Sequence, residues 1–255
     1  MKSPQKSTII FVHGAWHWGG CFQKVSTLLS AQGHPTLLPD LKSHGFDPAT
    51  YDQVADIADY TASIATLLGN ATEPVVLVGH SMGGVALTYL GEKYPEKISK
   101  LIYLTAFMTP SEKSVNNYLF SDGYKNDPDA KDLFDIVAGS PDKKGVTLNT
   151  HDAAKVRSSF YGDCSEHDAA VAARNVIPTN TTAPYVALTV TTPSRFGAIP
   201  RVYIECTKDR ALPLSQQRQM QADVPGAKIV TLESGHSPFF SHPDHLAEII
   251  IQEAR

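Results

Sequence analysis

Gly79-His80-Ser81-Met82-Gly83-Gly84 directly follows an unbroken apolar run, Val75 to Val78, and opens onto a helical pattern. A Gly-x-Ser-x-Gly in that setting is a tight strand-to-helix turn that lifts a serine hydroxyl above a sheet. The turn strains the serine backbone and needs small neighbours on either side. It also leaves the serine at a helix N-terminus, where backbone N–H groups stabilise developing negative charge. A serine hydroxyl is a poor nucleophile until a base takes its proton. Ten histidines compete for that role. His236, in Glu233-Ser234-Gly235-His236-Ser237, lies in a turn after the last strand-like run, at the same sheet edge as Ser81. Asp209, in Thr207-Lys208-Asp209-Arg210, follows its own strand and precedes the histidine. The other place for an orienting acid, after Leu101 to Met108, offers no carboxylate until Glu112. Ser81, Asp209 and His236 are therefore the expected catalytic residues, and the chemistry is acyl transfer through a serine.

An acyl tetrahedral intermediate also needs two N–H donors about 3 Å from its oxyanion. His13-Gly14-Ala15-Trp16, after the first strand, faces the serine turn, so the amides of Ala15 and Met82 are expected to form the oxyanion hole. His13 is expected to shape the first loop by hydrogen bonding, and His80 neighbours the nucleophile. His242 and His245 fall at a helix start without further metal ligands. The chain contains no His-Glu-x-x-His, no phosphate loop ending in Gly-Lys-Ser/Thr and no Gly-x-Gly-x-x-Gly after a strand. Neither a metal nor any cofactor is expected.

The elements that must carry these residues alternate. Thr8 to Val12 is a short β-rich run, and Phe22, Val25, Leu28 and Leu29 have helical spacing with Gly33 placed to end the helix. Thr36 to Pro39 reads as a second strand. Asp52 is placed to cap a helix carrying Val54, Ile57, Ile64, Leu67 and Leu68. Val75–Val78 and Leu101–Leu104 are apolar on both faces, as central parallel strands are. The alternation lapses at about Thr109 and resumes with strands near Arg201–Cys206 and Ala227–Leu232 and a last helix from Pro243. The expected architecture is α/β: a mostly parallel central sheet flanked by helices, with residues 1–108 and 197–255 as core and 109–196 as an inserted, mainly helical cap.

The 255 residues are 42% hydrophobic and 19% charged, which excludes a disordered or coiled-coil chain. A net charge of −4 leaves no basic footprint for nucleic acid. No apolar run approaches the ~20 residues of a membrane span. Three widely spaced cysteines, Cys21, Cys164 and Cys206, form no disulfide framework or zinc ribbon. Only four consecutive apolar residues, Ile9 to Val12, follow the N-terminal Met1-Lys2-Ser3-Pro4-Gln5-Lys6, too few for a signal peptide, so cytoplasmic residence is expected.

Phe11 to Trp16, Gly79 to Gly84, Tyr203 to Leu212 and Ser234 to Phe239 together resemble the α/β-hydrolase superfamily. More narrowly, they resemble its methylesterase and hydroxynitrile lyase family, which includes plant salicylate methylesterases and bacterial pyrethroid hydrolases. The resemblance implies an eight-stranded sheet whose first two strands are missing here, the same triad and the same oxyanion hole. Rubber-tree-type lyases carry a lysine after the catalytic histidine and a threonine in the first loop; here Ser237 and Gly14 stand there. Both departures favour an esterase; the apolar cap residues and the lack of an Arg or Lys cluster point to small to medium hydrophobic carboxylic esters. The rivals are a hydroxynitrile lyase or carbon–carbon hydrolase, a cofactor-free oxygenase, and a non-catalytic small-molecule binding protein. Gly14, Trp16, His80, Phe107, Leu119, Phe120, Phe160 and Phe239, with Phe134 and Tyr161, are the expected substrate wall. A small-molecule ester is the expected partner, without nucleic acid or membrane, and a homodimer is compatible with the sequence.

Overall fold

The computed structural model describes residues 6–254. Residues 1–5, on which part of the reading of the N-terminus rests, lie outside the described residues. Nine strands are present among them: β1 Ile9–Val12, β2 Thr36–Leu37, β3 Val75–Ser81, β4 Ile98–Ala106, β5 Val137–Gly139, β6 Gly145–Leu148, β7 Thr179–Thr181, β8 Arg201–Cys206 and β9 Lys228–Leu232. Six form the central sheet in the order β2-β1-β3-β4-β8-β9. Every neighbouring pair in it is parallel.

The continuous apolar runs are explained by burial on both faces. Ile10, Val12, Val75, Leu77, Leu101 and Tyr103 join one core with the helix Ala62–Asn70. Their strand neighbours Ile9, Phe11, Val76, Val78, Ile102 and Leu104 join a second core with the helices Gln23–Ala31 and Pro243–Glu253. The period-two geometry of a strand requires this division. The first helix ends as its sequence specifies: Gly33 takes φ +85° and donates its N–H to Ser30 O.

The helix expected from Asp52 is different. Asp52 lies in the short 3-10 turn Tyr51–Gln53, and the chain is extended again at Val54. Asp56 caps a short helix, Ile57–Tyr60, by accepting from Asp59 N, and Thr61 separates that turn from Ala62–Asn70. The apolar periodicity is continuous while the backbone is not, because Asp56 is a better-placed cap for the packed residues that follow.

Residues between β4 and β8 carry the helices Asn116–Leu119, Asp122–Lys125, Lys131–Ile136, Ala153–Phe160, Glu166–Asn175 and Ala183–Val186. They also carry a three-stranded antiparallel sheet, β5-β6-β7, that the sequence reading did not anticipate. A third core joins this region to the top of the sheet: Tyr124, Leu133, Ile136, Val156 and Phe160 pack with Ala15, Trp16, Met82 and Phe107. The sequence 183–199 also reaches down into the sheet's first core through Ala183, Phe196 and Ile199. The three cysteines are free and buried. No described helix is long and apolar enough to cross a membrane.

Candidate active site

Ser81 ends β3 and holds φ +51°, a left-handed backbone that L-residues adopt at a cost. The surrounding glycines make that turn possible. A Cβ on Gly83 would lie 2.4 Å from Val12 O, and one on Gly84 would lie 2.3 Å from Phe107 O. The helix Gly83–Lys93 therefore packs directly against the ends of neighbouring strands. Phe107 N completes the junction by donating to Ser81 O at 2.9 Å.

In a parallel sheet, residues following successive strands collect at one edge. Asp209 follows β8 and His236 follows β9, so both arrive at the edge where Ser81 sits. The two are buried and linked by a 2.7 Å contact between His236 Nδ1 and Asp209 Oδ2. Asp209 Oδ1 accepts from the amides of Ala211 and Leu212, each at 2.8 Å. Thr105 Oγ1 donates to Oδ2. Three donors besides the histidine hold the carboxylate in one orientation. The turn after β8 is laced to the turn after β9 by Lys208 N donating to Ser234 O at 2.9 Å. Asp163, from the segment between β4 and β8, grips the same loop by accepting from Gly235 N at 2.7 Å and Ser234 Oγ at 2.9 Å.

The first loop is set by two buried histidines. His13 Nδ1 donates to Gly14 O at 2.9 Å while its Nε2 accepts from Leu41 N. His17 Nδ1 donates to Ala15 O at 2.9 Å and its Nε2 accepts from Tyr161 OH. Both rings are neutral: burial holds the His13 pKa well below the usual value and pushes that of His17 down to about 4. With the Gly14 carbonyl drawn onto His13, the planar trans peptide turns the Ala15 N–H the opposite way. Neither Ala15 N nor Met82 N has a hydrogen-bond partner among the described residues. Gly14 must be glycine here, since a Cβ would sit 2.8 Å from Ser81 Cβ.

Ser81, Ala15 and Met82 all border one cavity of about 390 Å³. Trp16, Phe107, Leu119, Phe120, Phe134 and Phe160 supply apolar wall. Arg157, Asp163, Lys208, Arg210 and His236 border a second cleft of about 450 Å³. That cleft contains neither Ser81 nor the two amides, whereas the apolar cavity is bordered by all three. Of the expected wall residues, His80, Phe239 and Tyr161 do not line the apolar cavity; all three are fully buried. His80 continues the β3 face of Val76 and Val78, which packs into the second core and away from the cavity. Phe239 packs its ring against His80 and Phe22 in the second core. Tyr161 is spent on His17. Gly14 touches Ser81 rather than the cavity.

Thr105, Asp163 and His17 were not singled out from sequence. Thr105 carries a signal only in the folded chain, its φ of +38° near the end of β4. Among the described residues no group of three or more His, Cys, Asp or Glu is arranged to hold a metal ion.

A parallel sheet with a strained serine turn and an Asp–His pair at its carboxyl edge defines a class of enzyme-like folds, and sequence comparison names it. The Alpha/beta hydrolase family profile matches residues 9–249, and the chain belongs to that family. It is 33% identical over 248 residues to a pyrethroid hydrolase of Sphingobium wenxiniae, covering 95% of this chain and 85% of that protein. It is 30% identical to salicylic acid-binding protein 2 of Nicotiana tabacum, with 96% of each chain covered. The crystal structure of a pyrethroid hydrolase from Sphingobium faniae superposes with a TM-score of 0.88 at 29% identity, covering 97% of both chains.

Proposed function

We propose that the protein is a serine esterase that cleaves small to medium hydrophobic carboxylic esters through an acyl-serine intermediate. The observation that carries this reading is the convergence of Ser81 with two uncommitted amides, Ala15 and Met82, on one apolar cavity, with the Asp209–His236 pair at the same sheet edge. The relatives named as hydrolases of esters support it at the level of reaction class.

Asp209 accepts the Nδ1 proton of His236, which leaves Nε2 as the basic nitrogen. His236 takes the Ser81 proton as Oγ attacks the ester carbonyl. The carbonyl π electrons move to oxygen, and the Ala15 and Met82 amides hold that oxyanion. Collapse breaks the acyl–oxygen bond, and His236 returns the proton to the departing alkoxide. A water molecule, deprotonated by His236, then attacks the acyl-serine; the acyl–Oγ bond breaks, His236 returns the proton to Ser81 Oγ, and the carboxylic acid leaves. Ser237 follows His236 and is buried, so no cation stands there to stabilise a departing cyanide; this weighs against cyanohydrin cleavage. The aromatic wall and the cavity's size favour an acyl or alcohol part of modest bulk.

The test is hydrolysis of p-nitrophenyl acetate, butyrate and octanoate by wild type and Ser81→Ala. Turnover that vanishes in the variant, with a preference among the three chain lengths, is expected. Equal turnover in both proteins would overturn the assignment.

A further inference from the structure

We infer that His80 is a positioning residue that sets the separation between nucleophile and base by clamping the main chain of His236. The inference rests on the esterase reading of the same site. His80 Nε2 lies 2.8 Å from the His236 carbonyl oxygen. A carbonyl only accepts, so Nε2 carries the proton and donates. The other nitrogen, Nδ1, is buried and has no hydrogen-bond partner among the described residues. A proton there would be a buried, unpaired donor, so the ring is neutral and its tautomer fixed.

The His80 ring is fully buried, with its centroid 4.5 Å from that of His236. Phe239 and Phe22 wall it edge-on at 4.9 and 6.4 Å, and His17 does so at 5.9 Å. A ring so enclosed has one rotamer available. His80 is also the residue before Ser81. The path from nucleophile to base is therefore one peptide link, one locked side chain and one hydrogen bond to the base's own peptide. His236 is then held at two points, its ring by Asp209 and its backbone by His80. A misplacement of about 1 Å between reacting groups costs about 10²-fold in rate, and the His80 clamp guards against that error. His80 itself touches no substrate, because it is enclosed away from the cavity.

The experiment compares His80→Phe, His80→Gln and His80→Asn with wild type and Ser81→Ala on p-nitrophenyl butyrate. Phenylalanine keeps the ring and loses the donor. Glutamine places an N–H near the position of Nε2, and asparagine is one bond too short. The expected result is a kcat about 100-fold lower for phenylalanine with KM within about 2-fold, and recovery to within about 10-fold of wild type for glutamine but not asparagine. Active-site labelling by a fluorophosphonate should slow in parallel. Undiminished kcat in His80→Phe, or equal losses in glutamine and asparagine variants, would overturn the clamp. If His80→Phe does not fold, the glutamine–asparagine contrast decides. Loss of turnover in Ser81→Ala with intact His80 variants defeats only the clamp, whereas persistent turnover in Ser81→Ala defeats the esterase reading itself.

Discussion

The two sides of the apolar cavity are built on different terms. On the sheet side, Asp209 is buried with four partners, and the first loop is fixed by His13 and His17. On the opposite side the wall is apolar, and part of it is open to solvent: Phe120 is 64% exposed and Val186 56%. A polar network in a low dielectric loses much when one member fails, since the remaining groups are left buried and unpaired. An apolar wall loses area in proportion to what is removed. The sheet side should therefore govern whether the reaction occurs, and the segment between β4 and β8 which ester enters.

The contrast is broken most directly at Asp209. Asp209→Asn replaces an acceptor by a group that can turn an N–H toward His236 and hold the wrong tautomer, so kcat should fall about 10⁴-fold. Leu119→Ala, in the opposite wall, should change kcat by less than about tenfold and act through KM. Steady-state kinetics on p-nitrophenyl butyrate compares them. Comparable losses in the two variants would mean that the two sides are not separate in function.

Gly14 sharpens the same boundary from the first loop. Its Cβ position lies 2.8 Å from Ser81 Cβ and 3.1 Å from His80 Nδ1, both in rigid surroundings. Gly14→Ala must push the loop away from Ser81 and carry the Ala15 amide with it. The expected loss is about 10²-fold in kcat, the scale of one missing oxyanion donor. An unchanged kcat would remove Ala15 from the hole.

The sheet side should also be the acid-labile side. His13, His17 and His80 are held neutral by burial, and their folded pKa values lie below 6.5. Below pH 6.5 the unfolded chain takes up protons at these positions that the folded chain refuses, so stability falls as pH falls. For His17, with a folded pKa of about 4, the loss between pH 6.5 and 4 amounts to about 3 kcal/mol. Urea midpoints at pH 7.5, 6 and 5 should fall in that order. His17→Gln should flatten the decline, and an unflattened decline would place the acid sensitivity elsewhere.

How much of this could be read without coordinates follows from the same division. The inner strands β1, β3 and β4 are apolar on both faces; Ser81 ends β3, and Asp209 and His236 stand past β8 and β9, so their arrival at one sheet edge follows from the order of strands. The short strands Val137–Gly139, Gly145–Leu148 and Thr179–Thr181 were not legible. They are three or four residues long and mixed in polarity, and their pairing depends on partners distant in sequence. His80 and Phe239 misled because an aromatic ring near a nucleophile reads as substrate wall. Alternation along β3 puts His80 on the face of Val76 and Val78, toward the second core, which also claims Phe239. Asp163 gave no signal at all, because its loop partners are 71 and 72 residues away.

The smallest expected effect lies at the mouth of the cavity. Phe120 borders the cavity while most of its surface faces solvent, and the Lys125 ammonium sits 5.1 Å from its ring centre. Phe120→Ala removes little buried area, so the melting temperature should not move measurably. It does remove apolar contact for whatever part of an ester extends past the wall. KM for the octanoate ester should rise about threefold, while that for acetate stays constant, because a short acyl chain does not reach the rim. If KM for acetate rises equally, Phe120 acts on the reacting end of the cavity, and the separation between a chemical side and a selecting side fails at its outermost residue.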